Sequence, residues 1–138
     1  MKTNVKSTFT TKHWNEKTWD GKPANEVEGN KLSRAEVLNT YDGDLKGQSE
    51  LQYLMTYHGD GTGHFIGLER VEGSLKGRSG SFVIHHTGTF DDLGVKGTVT
   101  VVPGSGTGDL STLRGEGSYD LAGQQEAYPI SFDFEIEE

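Results

Sequence analysis

The chain has 138 residues, with 21 acidic and 13 basic side chains, a formal net charge of −8 and no cysteine. Such an acidic balance argues against nucleic-acid backbones and anionic membrane surfaces as partners, because both require clustered Lys and Arg, and the lack of cysteine excludes disulfides, thiolate metal sites and cysteine nucleophiles. The length predicts one domain, residues 1–138, and 20 glycines beside only 31% hydrophobic residues predict a turn-rich β fold, because the apolar residues alternate regularly along the chain.

The N-terminal stretch MKTNVKSTFTTKHW lacks the apolar segment of a signal peptide, and no run approaches transmembrane length, so the cytoplasm is the expected location. Residues 3–13 alternate, with Val5, Ser7, Phe9 and Thr11 against Lys6, Thr8, Thr10 and Lys12, which predicts a first strand half facing water. From Trp14 to Asn30 the alternation stops, predicting a long connection whose tryptophans, Trp14 and Trp19, either lid a cavity or pack on the barrel end. Residues 31–45 predict a second strand whose inner face stays open, Ala35, Val37 and Tyr41 competing with Leu32 and Leu38; a bulge would change its phase.

Residues 49–58 predict a third strand, followed by a turn at 59–63 and a long hairpin from Phe65 to Phe90. With Gly77 and Arg78 as a two-residue loop, Leu75 faces Gly80, Gly73 faces Phe82, Val71 faces Ile84, Glu69 faces His86, Gly67 faces Gly88 and Phe65 faces Phe90. Pairing His58 with His64 puts Tyr57 beside Phe65, Met55 beside Gly67, Tyr53 beside Glu69 and Leu51 beside Val71. After the turn at 91–94, Val95, Gly97, Val99 and Val101 fall opposite Phe90, Gly88, His86 and Ile84. A loop over 103–112 leads to a strand with Leu113, Gly115, Gly117, Tyr119 and Leu121 on one side. A turn at 122–125 returns the chain through Tyr128, Ile130, Phe132, Phe134 and Ile136, setting Tyr119 against Tyr128 and Gly115 against Phe132. The segment Leu45-Lys46-Gly47-Gln48-Ser49 recurs as Leu75-Lys76-Gly77-Arg78-Ser79, which predicts the same turn twice. About eight long antiparallel strands, mid-strand glycines and no helix to cover a sheet edge predict an all-β closed eight-stranded antiparallel meander barrel; a two-sheet sandwich is the competing architecture.

The block GLERVEGSLKGRSGSFVIHHTGTF, followed by VVPGSGTGDLSTLRGEGSY, resembles the signature of a family of small bacterial proteins of unassigned function, and the likeness runs from the turn Tyr41-Asp42-Gly43-Asp44-Leu45 through Ile136. The resemblance implies a closed eight-stranded meander barrel similar in architecture to plant allene oxide cyclase. It implies no reaction, and no motif carries cyclase catalytic residues onto this chain.

In the predicted register Tyr53, Glu69, His86 and Val99 form one inward row, and Met55, Gly67, Gly88 and Gly97 the next, where three neighbouring glycines leave a gap beside an acid, a base and a phenol. An eight-stranded barrel is wide enough for one small ligand. Tyr57, Phe65 and Phe90 would close one end of that pocket, and Leu51, Val71 and Ile84 would form its floor. A small, mostly apolar ligand with one polar handle fits such a lining, and Glu69, His86 and Tyr53 are the candidate catalytic residues if the pocket performs acid–base chemistry of an isomerase or cyclase type without a cofactor. A satisfied polar network that fixes strand register accounts for the same three residues, in which case the barrel is a structural or protein-interaction module with a filled core.

Weaker patterns lie elsewhere. His58, Asp60 and His64 gather at one turn with ligand types suited to a divalent ion, but a solvated Gly- and Asp-rich turn needs none, and no metal site is predicted. The stretch Gly104-Ser105-Gly106-Thr107-Gly108 lacks the lysine and helix of a phosphate loop and reads as a turn. On the outer face Leu54, Ile66 and Leu68 come together, which predicts a homo-oligomer through that patch.

Overall fold

Period-two alternation does organise the whole chain, and the computed structural model, which describes residues 2–122 and 127–136, shows the result. Eight antiparallel strands follow in order: β1 (Lys2–Thr18), β2 (Lys31–Gly43), β3 (Leu45–Tyr57), β4 (Gly63–Leu75), β5 (Arg78–Asp91), β6 (Gly94–Val101), β7 (Arg114–Ala122) and β8 (Tyr128–Glu135). Each pairs with its neighbour in sequence, and β1 pairs with β8, so the sheet closes into a barrel and the sandwich is ruled out. Closure removes the edge strands that an all-β chain without covering helices would otherwise expose. Helical structure among the described residues is limited to two single 3-10 turns, Ala24–Glu26 and Gly108–Leu110, and no helix there is long and apolar enough to cross a membrane. The expected turn at 122–125 falls largely outside the described residues.

The first strand is longer than its alternation suggests. Thr11 faces Asn39 while His13 faces Leu38, so Lys12 is an extra residue, and this bulge reverses the phase of everything after it. Val5 and Ser7 point inward before the bulge; Thr18 is buried after it, with Trp14 and Glu16 in the same phase. The expected connection from residue 14 therefore starts only after Thr18. The bulge anticipated for the second strand sits in its neighbour, and β2 alternates cleanly, with Ser33, Ala35, Val37, Asn39 and Tyr41 buried and Leu32 and Leu38 each 45% exposed on the outside.

Three hairpins take a register two residues away from the expected one. In the β4–β5 turn the loop is Lys76-Gly77, both with positive φ, 48° and 85°, the backbone of a type I′ turn whose twist matches the flanking strands. Leu75 then faces Arg78, Val71 faces Phe82, Glu69 faces Ile84, Gly67 faces His86 and Phe65 faces Gly88. Likewise Tyr57 faces Gly63, Met55 faces Phe65, Tyr53 faces Gly67 and Leu51 faces Glu69 across β3 and β4, and Gly115 faces Phe134 across β7 and β8. A slip of two preserves which face each side chain occupies and changes only its neighbours. The β5–β6 register is as expected, with His86 opposite Val99 and Gly88 opposite Gly97. The repeated Leu-Lys-Gly segment does not make the same turn twice. Gly47 lies inside β3 opposite Gly73, where an added Cβ would stand 2.0 Å from the Glu72 carbonyl oxygen.

β6 covers only the second half of β5, from Ile84 onward. The loop after β6 completes the first half as a substitute strand: Val102 donates to the Val83 carbonyl (2.9 Å) and Thr107 to the Ser81 carbonyl (2.8 Å). In return, the backbone amides of Ser81 and Val83 donate to Thr107 Oγ1 and Ser105 Oγ, each at 3.0 Å. The glycine- and serine-rich stretch is thus an edge cap, and it delivers Leu110 and Leu113, both nearly inaccessible, into that end of the barrel. With Val5, Leu45, Val71, Leu75, Phe82, Ile84, Phe132 and Phe134 they pack this half solidly; Phe132 and Phe134 stack at 4.9 Å between centroids. Each such fully buried apolar side chain contributes about 1.5–3 kcal/mol of transfer free energy.

Candidate functional site

Halfway along the barrel the packing becomes polar. Glu69 on β4 has no exposed surface and His86 on β5 is 3% exposed, and although they are not cross-strand partners, His86 Nε2 lies 2.7 Å from Glu69 Oε1. Tyr41 on β2 donates its hydroxyl to both carboxylate oxygens at 2.9 Å, and Ser49 on β3 donates to Oε2 at 2.5 Å. Burial alone would raise the Glu69 pKa; the hydrogen bond and charge of His86, then the hydroxyls of Ser49 and Tyr41, outweigh it and hold the carboxyl below its ordinary value. A carboxylate only accepts, so the shared proton sits on Nε2 of His86. On its other side, His86 Nδ1 lies 3.2 Å from the Tyr119 hydroxyl on β7. Burial, reinforced by the Glu69 charge, pushes the Tyr41 and Tyr119 phenols upward, so both stay protonated at neutral pH. Among the described residues every buried side-chain polar atom has a partner.

Beyond this network, on the side away from Phe132 and Phe134, the barrel opens into a cavity of about 660 Å³. Aromatic rings dominate its wall: Tyr53, Tyr57, Phe65, Phe90 and Tyr119, with Phe9, Trp14 and Tyr128 from β1 and β8. They meet edge to face or tilted, as with Tyr53 and Phe65 (5.3 Å) and Tyr57 and Phe90 (5.0 Å). Of the expected site residues, Tyr53, Met55, Tyr57, Phe65 and Phe90 line this cavity, together with Leu51. Glu69 and His86 lie beneath it and do not line it, and neither do Gly67, Gly88, Gly97 or Val99. Val71 and Ile84, expected as floor, belong to the packed half.

The expected row of three glycines forming a gap is corrected by the two-residue slip. Four glycines of this half instead seat rings: an added Cβ at Gly67 would stand 2.7 Å from Tyr53 Cδ1, at Gly88 2.6 Å from Phe65 Cζ, at Gly63 2.1 Å from Phe90 Cζ and at Gly97 2.5 Å from Tyr119 Cζ. The glycines therefore let the aromatic side chains lie flat along the wall. The empty volume exists because those rings line the interior without meeting at its centre.

A second carboxylate, absent from the sequence expectations, holds two side chains of the cavity wall without lining the cavity itself. Glu16 accepts from the Tyr57 hydroxyl (2.5 Å) and from Ser33 Oγ (2.8 Å) on Oε2, and from Trp14 Nε1 (3.1 Å) on Oε1. Burial and the bond to Glu16 both push the Tyr57 phenol upward. Trp14 faces the cavity, its ring 5.9 Å from Tyr53, whereas Trp19 is 59% exposed and hydrogen-bonds the Ser33 carbonyl outside it. Of the two tryptophans only Trp14 lines this cavity.

At the far end a recess of about 790 Å³ is edged by Lys76, Arg78, Arg114 and Glu135 over Val5, Leu75 and Phe134; no buried ionisable side chain lines it. His58 and His64 do come together, Nε2 to Nδ1 at 3.2 Å, but Asp60 is spent on the Thr62 amide and hydroxyl. Among the described residues no three His, Asp or Glu side chains converge as a metal site would require.

No curated protein matches the chain. It is similar to the crystal structure of a protein of unknown function of the DUF3224 family from Shewanella oneidensis MR-1, at 28% identity over 100% of both chains and a TM-score of 0.79. The family model described as a protein of unknown function, DUF3224, matches residues 5–134, nearly the whole barrel from the inward Val5 of β1 to the stacked Phe134 of β8. The chain belongs to the DUF3224 family of proteins of unknown function.

Proposed function

We propose that this barrel binds a small, largely aromatic or apolar molecule in the cavity above the Glu69–His86 pair. The observation that supports this reading is the contrast between the two ends of one barrel: at one end the recess lies outside a packed core and is edged by Lys76, Arg78, Arg114 and Glu135, and at the other about 660 Å³ is walled by aromatic rings. That volume lies within the roughly 300–1,000 Å³ typical of small-molecule sites. Polar groups in the wall are few: the hydroxyls of Tyr53, Tyr57, Tyr119 and Tyr128, the side chains of Asn39 and Thr11, and Asp91 and Asp92 at the rim. Such a lining selects a flat, hydrophobic body with one or two polar handles.

Direct acid–base catalysis by Glu69 or His86 is the less favoured reading, because the cavity wall separates both from a ligand. Native mass spectrometry of protein purified from its own host tests the proposal, with a retained small molecule as the expected result. Titration of aromatic probes against Trp14 fluorescence, read in a Trp19→Phe background, gives a second readout. Absence of any bound species, together with an unresponsive Trp14, would overturn it.

A further inference from the structure

Tyr119 belongs to two structures at once: it is part of the cavity wall and it is hydrogen-bonded through its hydroxyl to His86 Nδ1. The chain of contacts Glu69 Oε1, His86 Nε2, His86 Nδ1, Tyr119 hydroxyl therefore connects a carboxylate sealed in the middle of the barrel to the surface a ligand would touch. The Tyr53 ring also packs on His86, 5.8 Å away between centroids, and its register partners on the flanking strands, Gly67 and Val99, carry no charge. Tyr41 and Ser49 reach it only through Glu69.

The chemistry of such a chain has two settings. With His86 neutral, Nε2 donates to Glu69, so Nδ1 is an acceptor and the Tyr119 O–H must point at it, leaving only phenolic lone pairs toward the cavity, where the Tyr53 hydroxyl donates to one of them. With His86 protonated, Nδ1–H donates to the Tyr119 oxygen and the Tyr119 O–H is released toward the cavity. Glu69, already held as a carboxylate, offsets the imidazolium charge in the second setting.

We propose that the cavity takes a molecule carrying one acidic hydroxyl, a phenol or an enol, and binds it as the oxyanion on Tyr119, with the ligand's proton moved onto His86. This rests on the cavity being a ligand site. The ligand O–H bond breaks and its proton joins the Tyr119 oxygen while the Tyr119 proton passes to His86 Nδ1. The products are the ligand oxyanion, an intact Tyr119 phenol donating to it, and an imidazolium paired with Glu69; no electron changes hands and no other reactant is needed. Tyr53, which lines the same wall and interacts with Tyr119, supplies a second hydroxyl close to the oxyanion. Gly97 fixes the arrangement, because only a residue without a Cβ leaves room for the Tyr119 ring and hydroxyl, 2.5 and 2.6 Å from where that atom would stand.

Two probes of nearly the same shape separate this from simple cavity binding: 4-nitrophenol, whose oxyanion absorbs at a longer wavelength than its neutral form, and 4-nitroanisole, which has no proton to give. Both quench Trp14 fluorescence if the cavity accepts aromatic ligands; if neither does, the binding proposal itself fails. Given binding, the expected result is that the wild-type protein holds 4-nitrophenol as the oxyanion at pH values where the free probe is neutral, a shift of about one pH unit or more. Tyr119→Phe and His86→Gln lose that shift. A bound nitrophenol that titrates like the free probe overturns the proposal, as does a shift that survives in folded Tyr119→Phe. Should either variant fail to fold, the wild-type spectrum alone decides.

Discussion

Glu69 and His86 touch across a diagonal. Glu69 stands opposite Ile84 and His86 opposite Gly67, yet Oε1 and Nε2 are 2.7 Å apart, because residues offset by two on adjacent antiparallel strands are within reach of long side chains. Gly67 opposite His86 seats the Tyr53 ring, which packs edge-on against the imidazole at 5.8 Å.

Both partners are buried, so removing either strands the other without water or counter-charge. His86→Leu is expected to lower stability by about 3–5 kcal/mol, read as the shift of the urea midpoint at constant slope. The double variant Glu69→Leu/His86→Leu should lose less than the sum of the two single variants, because they share one interaction. Strict additivity would mean that the pair contributes nothing as a pair.

Acid sensitivity follows from the lowered pKa of Glu69. Its carboxyl is more acidic in the folded barrel than the ordinary value of 4.5 that it recovers on unfolding, so the unfolded chain binds the extra proton as pH falls between the two values. The stabilisation is complete above about pH 4.5 and declines as the pH drops toward the folded value. Urea midpoints measured from pH 7 downward should fall below about pH 4.5 in the wild type, and Glu69→Gln should show a shallower acid limb on an already lower plateau. Equal slopes in both proteins would assign the acid loss to other carboxylates.

How much of this was legible in the sequence depends on which property is asked for. The inward faces of β3 to β8 follow from side-chain alternation, which is why Tyr53, Glu69, His86 and the aromatic wall could be named from the sequence. Register is set by turn geometry, and there Lys76-Gly77-Arg78 is ambiguous: glycine as first loop residue suits a Gly77-Arg78 turn, and the pairing through Lys76-Gly77 requires a lysine in the left-handed region, φ 48°. The bulge at Lys12 carries no glycine or proline, so the renewed alternation of Trp14, Glu16 and Thr18 in the opposite phase was its only trace, and Glu16 was missed with it. Tyr119 meets His86 across the width of β6, a contact that strand-by-strand pairing does not reveal.

That same lysine gives a gain-of-stability prediction. A side chain with a Cβ in the left-handed region costs about 1–2 kcal/mol, and asparagine tolerates that region best. Lys76→Asn creates the Asn-Gly pair favoured in type I′ turns and should raise stability by about 0.5–1 kcal/mol, whereas Lys76→Val should lower it. Thermal melts of the two variants beside the wild type check the sign. A destabilising asparagine would place the loop at Gly77-Arg78 after all.

The outer face carries the last prediction. Leu54 and Ile66 are direct cross-strand partners and Leu68 follows Ile66 on the same strand; they are 44%, 49% and 55% exposed, a continuous apolar patch on the outer face of β3 and β4. Residues of both signs flank it, Arg34 and Arg70 beside Glu36, Glu50 and Glu72 on the same three strands. A second copy related by a two-fold axis would therefore meet apolar with apolar and can set arginine against glutamate, which a partner of single charge sign could not do as well. We expect a homo-oligomer formed through this face, read by light scattering at micromolar concentration, and we expect Ile66→Lys with Leu68→Lys to return it to the monomer with the barrel intact by circular dichroism. A wild-type protein that is monomeric under those conditions removes the interface, and a double variant that keeps the higher mass moves it elsewhere on the barrel.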